Sequence, residues 1–126
     1  MIPIANVFST LNDFPPFPSA IMFTCGCNLR CKYCHNWRLV KDQDIEHLTL
    51  DDVQAYLDEA SEFIDGLVVS GGEPTLHQYD YDFKHFLCTQ SRRLLLKLDT
   101  NGTIPIEPKF LDLFYGISIT LKPIGY

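Results

Sequence analysis

The chain is poor in cations: 10 Lys and Arg stand against 16 Asp and Glu, a net charge of −6 over 126 residues. That excludes a surface built for general nucleic-acid or acidic-membrane binding, which needs Lys and Arg in excess. No apolar run approaches the length that crosses a bilayer. The opening "MIPIANVFSTLNDFPPFPS" has neither the charged start nor the continuous apolar core of a secretory signal. A cytoplasmic chain is therefore expected, in a compartment where disulfides are rare. Repeats, low-complexity tracts and linkers are also missing, so a single domain over residues 1–126 is expected. The composition that remains is globular, 46% hydrophobic and 21% charged. The chain has five cysteines, and four of them sit in "TCGCNLRCKYCHN", Thr24 to Asn36. In such a compartment, clustered thiols point to metal ligation or redox chemistry rather than to stapling.

The prolines of "DFPPFPS" forbid a helix. Residues 1–19 read as an N-terminal extension lying on a sheet, with room for one short strand. "AIMFT" (Ala20 to Thr24) is a short apolar run with strand character. In "TLDDVQAYLDEASEF", Thr49 and Asp52 form a variant capping box. Leu50, Val53, Leu57, Ala60 and Ile64 give the following helix one apolar face. "GLVVS" (Gly66 to Ser70) reads as a buried strand. "GGEPT" is a glycine turn in which Pro74 opens a helix, expected to run on through "LHQYDYDFKHFL". A strand over Arg93 to Asp99 closes at the turn signal "TNG". A short helix from Pro108 and a strand over Gly116 to Leu121 follow. Strands alternating with helices predict an α/β fold with right-handed crossovers and a parallel sheet. Ligands of such sheets sit at the carboxyl ends of the strands. The cysteine loop, "GGEPT" and "DTNG" each follow a strand end, so they should converge on one edge.

Cys27, Cys31 and Cys34 follow C-x3-C-x2-C. One irregular loop with this spacing can wrap three thiolates around a cubic iron–sulfur cluster. Ordinary clusters of this type take four cysteines, so three leave one iron open for a substrate or cofactor. Gly26 and Asn28 suit the turn, and Arg30 and Lys32 offset part of the cluster's negative charge. Cys25 with the other three makes a four-thiolate set, but C-x-C-x3-C-x2-C is a poor spacing for a zinc ribbon. Cys25 reads as a small strand-end residue, and Cys88 as a buried, inert thiol on a helix. His35 lies where it could hydrogen-bond near the cluster or serve structure alone.

"CNLRCKYCHN" strongly resembles the radical S-adenosylmethionine (SAM) enzymes. "YCHN" and the preceding "DFPPFPSAIMFTCGC" are most similar to the activases of glycyl-radical enzymes, those of anaerobic ribonucleotide reductase in particular, with the pyruvate formate-lyase activases close by. The resemblance covers nearly the whole chain. It implies a partial (β/α) barrel, here about four βα units, with the family's last units missing after Tyr126. It implies a [4Fe-4S] cluster on Cys27, Cys31 and Cys34, and SAM cleaved reductively to a 5′-deoxyadenosyl radical that installs a glycyl radical on a partner enzyme. Gly71, Gly72 and Glu73 match the family's GGEP motif, which holds the amino group of SAM. Asp99, Thr100 and Asn101 match the DTNG beside its methionine part, where the Asp helps to hold a monovalent cation. Tyr33 matches an aromatic position near the adenine. Lys122 matches the Lys of an Asp-x-Lys pattern, with Thr120 where the Asp stands, and a hydroxyl is a weaker ligand for a hard cation. The implied partners are the glycyl-radical enzyme and a reductant such as flavodoxin or ferredoxin, with no nucleic acid and no membrane. The cofactors carry such chemistry, so the lack of a catalytic triad is no objection. Two alternatives stand beside this reading: a small-molecule radical SAM enzyme of the 7-carboxy-7-deazaguanine synthase type, and a non-catalytic iron–sulfur-binding fragment.

Overall fold

The computed structural model describes residues 4–25 and 48–119. Five strands form one sheet in the order β1-β2-β3-β4-β5. β1 (Ile4–Thr10) runs antiparallel to β2 (Ser19–Thr24). β3 (Gly66–Gly71), β4 (Leu95–Thr100) and β5 (Gly116–Ile119) follow, each parallel to its predecessor. The extension thus supplies a full edge strand. This is the α/β fold with a parallel sheet expected from the alternation of strands and helices, and it agrees with the partial barrel that the family resemblance implies.

Each crossover carries a helix. α1 (Leu50–Ala60) starts at Thr49, whose hydroxyl accepts from the Asp52 amide while the Asp52 carboxylate accepts from the Thr49 amide. The expected capping box is therefore present. Four helical residues, Pro108–Leu111, form α3 before β5. The segment between β3 and β4 departs from expectation. It is not one helix from Pro74 onward but a 3-10 turn, Pro74–His77, followed by α2, Tyr81–Gln90. Asp80 starts α2 afresh by accepting from the Phe83 amide. Gln78 pins the break: its buried side chain donates to the Pro105 carbonyl and accepts from the Glu107 amide.

The helices cover one face of the sheet. Leu50, Val53 and Leu57 of α1, Phe83, Phe86 and Leu87 of α2 and Phe110 of α3 pack with Met22, Leu67, Val69, Leu96 and Leu98 of the strands. Cys88 falls on the opposite side of α2 from these residues. The thiol expected to be buried is therefore exposed. The second face holds a smaller cluster of Ile21, Val68 and Leu95 under Phe14 and Phe17. Phe14 comes from the proline-rich segment and lies so close to Gly66 that a Cβ there would stand 2.8 Å from its ring. The extension therefore plugs this face at the amino ends of the strands, leaving the carboxyl edge for the site.

Candidate functional site

Thr24 of β2, Gly71 of β3 and Thr100 of β4 end neighbouring strands on the same edge. The three motifs therefore depart from one place, as the alternation predicted. Cys27, Cys31, Cys34, Tyr33 and His35 lie outside the described residues, as do Thr120 and Lys122. Among the described residues, no three His, Cys, Asp or Glu side chains gather as a metal site. Cys25, the last described residue before the cysteine loop, is buried.

Gly71 turns the chain with φ at +119°, a region that L side chains rarely adopt. A methyl group there would also overlap the backbone of Thr24. Gly71→Ala is expected to cost about 3 kcal/mol or more, summing strained backbone and overpacking. A urea melt checks this, and an unchanged midpoint contradicts it. The next amide, Gly72, donates to the Thr24 carbonyl at 3.1 Å, so the turn grips the end of β2.

Glu73 is fully buried. Its Oε2 accepts from the Thr75 amide at 3.2 Å, from the Thr75 hydroxyl and from the Thr100 hydroxyl at 2.6 Å. Its Oε1 accepts from the Asn101 amide at 2.7 Å. An ionised carboxyl suits this set, because every neighbour donates. Glu73 is thus no solvent-facing turn residue: it ties the end of β3 to the end of β4. Asn101 shapes the following turn, its Oδ1 accepting from the Thr103 amide at 3.0 Å and hydroxyl at 2.6 Å.

Asp99 lies one residue before Thr100 and points to the other face. Burial pushes its carboxyl above the ordinary carboxylate value, while Lys97 pulls it back. The Lys97 ammonium stands 3.4 Å from Oδ1, which accepts no hydrogen bond, and donates to the Asp13 carbonyl at 2.5 Å. Lys97 is a neighbour that the sequence reading missed; its cue is the i, i+2 spacing that puts two strand residues on one face. Lys97→Met is expected to cost about 1–3 kcal/mol, less than the loss of a partner in a fully buried pair because both groups keep some contact with water. Adding Asp99→Asn should recover part of that loss in the same melt, and an additive double variant would show that the pair does not interact.

The donor set at this edge fits the cofactor that the motifs imply. SAM carries an ammonium and a sulfonium, and the edge offers two carboxylates. Glu73 Oε1 has acceptor capacity beyond its Asn101 bond, and Asp99 Oδ1 is buried and accepts no hydrogen bond, though the Lys97 ammonium stands 3.4 Å away. The fold and the three strand ends define the class: a partial α/β barrel whose parallel strands bring three motifs to one carboxyl edge. The profile of the radical SAM superfamily matches residues 21–117, and the chain belongs to that superfamily. Over 109 residues it is 38% identical to a Methanocaldococcus jannaschii protein whose name marks it as a provisional glycyl-radical enzyme activating enzyme, covering 79% of this chain and 42% of that one. Over 130 residues it is 33% identical to the 7-carboxy-7-deazaguanine synthase of Rhodospirillum rubrum, covering 95% of this chain and 49% of that one. The crystal structure of QueE from Escherichia coli superposes with a TM-score of 0.66 at 16% identity, over 98% of this chain and 60% of that one, which shows the shared fold. The chain spans about half the length of the curated relatives it matches. No helix among the described residues is long and apolar enough to cross a membrane.

Proposed function

We propose that this chain binds SAM at the carboxyl edge of its sheet and, with an iron–sulfur cluster on Cys27, Cys31 and Cys34, supports its reductive cleavage. The observation that carries the reading is the buried Glu73 carboxylate, which joins the ends of β3 and β4 beside the strand that leads into the cysteine loop. A [4Fe-4S] cluster with one iron free of protein ligands supplies the electron for this chemistry when bound. The chain's own part is to bind and orient. Gly71 and Gly72 let backbone approach the amino end of SAM, and Glu73 accepts from its ammonium. Asp99, Thr100 and Asn101 line the methionine part. Tyr33 beside the adenine, Lys122, and a monovalent cation near Asp99 are assigned on the resemblance alone. A fully buried Glu73 keeps water from the charged end, which strengthens each of these contacts.

The hydrogen donor divides into two readings. One is a small heterocycle, as for a 7-carboxy-7-deazaguanine synthase. It is supported by the R. rubrum alignment over 95% of this chain, and the E. coli structure shares the fold it requires. The other is a backbone glycine of a partner enzyme. It is supported by the 38% identity to the M. jannaschii protein and by the "YCHN" ending of the cysteine loop. On the second reading, the partner is a glycyl-radical enzyme such as anaerobic ribonucleotide reductase, with a flavodoxin or ferredoxin as reductant.

Parallel anaerobic assays separate the two. 7-Carboxy-7-deazaguanine detected by mass spectrometry, from its heterocyclic precursor, supports the first. A glycyl-radical doublet in the electron paramagnetic resonance (EPR) spectrum of an added glycyl-radical enzyme supports the second. SAM left intact in both assays contradicts the shared chemistry.

A further inference from the structure

His77 ends the 3-10 turn that follows Glu73, and no motif of the sequence reading includes it. Its Nε2 lies 2.9 Å from the carbonyl oxygen of Cys25, 52 residues away in the chain. A carbonyl oxygen only accepts, so Nε2 carries the hydrogen. The ring is held edge-on against Phe83 of α2, their centroids 6.2 Å apart and their planes at 86°. Phe83 belongs to the fully buried core, so the imidazole is braced from behind by a rigid group.

The placement of this bond gives it significance. Cys25 is buried and is the last described residue before the C-x3-C-x2-C loop. The bond from His77 fixes the direction of the Cys25 carbonyl. Two consecutive carbonyls at the root of that loop are gripped by the same short segment, Thr24 by the Gly72 amide and Cys25 by His77. The same segment carries Glu73, which holds Thr100 and Asn101. Residues 71–77 thus form one rigid turn that ties the root of the cysteine loop to the ends of β3 and β4.

We propose that His77 is a positioning residue, whose Nε2–H bond to the Cys25 carbonyl sets the direction in which the chain enters the cysteine loop and so places the cluster against the SAM-binding edge. The inference rests on the radical SAM reading above. His77 touches neither substrate nor cluster in this role; it acts through the backbone of Cys25. A side chain with a comparable N–H donor should therefore replace it, and an apolar one should not.

The test compares wild type, His77→Ala and His77→Gln as full-length chains. In the metal-free proteins, hydrogen exchange is followed in the peptide that ends β2 and enters the loop. His77→Ala should exchange there about tenfold faster than wild type, the size of one hydrogen bond, and His77→Gln should stay close to wild type. In the anaerobically reconstituted proteins, His77→Ala should still load iron but show an altered EPR signal of the reduced cluster. It should cleave SAM about tenfold more slowly at saturating SAM, with His77→Gln recovering most of the rate. Wild-type exchange together with a wild-type signal in His77→Ala overturns the proposal. So does a glutamine variant as impaired as the alanine one, and this arm decides the matter if His77→Ala fails to fold. A wild-type protein that loads no iron overturns the radical SAM reading instead, and the exchange measurement still tests the tether by itself.

Discussion

Replacing Glu73 with Ala is expected to lower the unfolding free energy by about 3–5 kcal/mol, the range for stripping one partner from a buried charged network. The carboxylate accepts from the Thr75 amide and hydroxyl, the Thr100 hydroxyl and the Asn101 amide. All of these groups are at most 6% exposed by residue, so water cannot freely replace the lost acceptor. Each orphaned donor costs about 1–3 kcal/mol, and relaxation of the two turns offsets part of the sum. Glu73→Gln should cost less, about 2 kcal/mol, since it keeps one acceptor oxygen while its amide faces donors with a donor. Urea melts of both variants check the ranking. In a Glu73→Ala protein that still folds, SAM binding should fall further than iron content, because the motif cysteines are far from Glu73 in the sequence. A variant that melts with wild type and binds SAM normally would show that Glu73 is neither tie nor ligand.

Replacing Cys27, Cys31 or Cys34 singly with Ala is expected to abolish SAM cleavage. In the proposed site, three thiolates would leave one iron without a protein ligand; with two, a second iron would lose its anchor and the cluster should not persist. The expected readings are iron and sulfide well below wild type and no 5′-deoxyadenosine above background. Cys25→Ala and Cys88→Ala serve as controls. Cys88 is exposed on the outer side of α2, and its removal should leave both quantities unchanged. Full activity in any of the three motif variants would remove that cysteine from the ligand set. Loss of metal in Cys25→Ala with zinc bound in wild type would favour the four-thiolate alternative.

Features set by neighbours in the chain were legible in the sequence. The Thr49 cap needs only Asp52, and the strands of the parallel sheet are short apolar runs stopped by Gly and Asn. The convergence of the motifs also followed from topology, because alternating strands and helices place the carboxyl ends of the parallel strands on one edge. What escaped was set by residues distant in sequence. The helix expected to continue from Pro74 breaks because Gln78 is held by Pro105 and Glu107. The role of Glu73 as a tie depends on Thr100 and Asn101, and the role of His77 on Cys25. Cys88 was misread because a thiol's preference for the interior says nothing of which side of α2 it occupies. That side is fixed by Phe83, Phe86 and Leu87 packing inward.

In the proposed function, this edge and the three motif cysteines together form a working radical SAM site. This is tested most directly by reconstituting the chain anaerobically with iron and sulfide, adding SAM and dithionite, and measuring 5′-deoxyadenosine. 5′-Deoxyadenosine should form, dependent on Cys27, Cys31 and Cys34. A chain that loads a cluster on those cysteines and leaves SAM intact would contradict the proposed function.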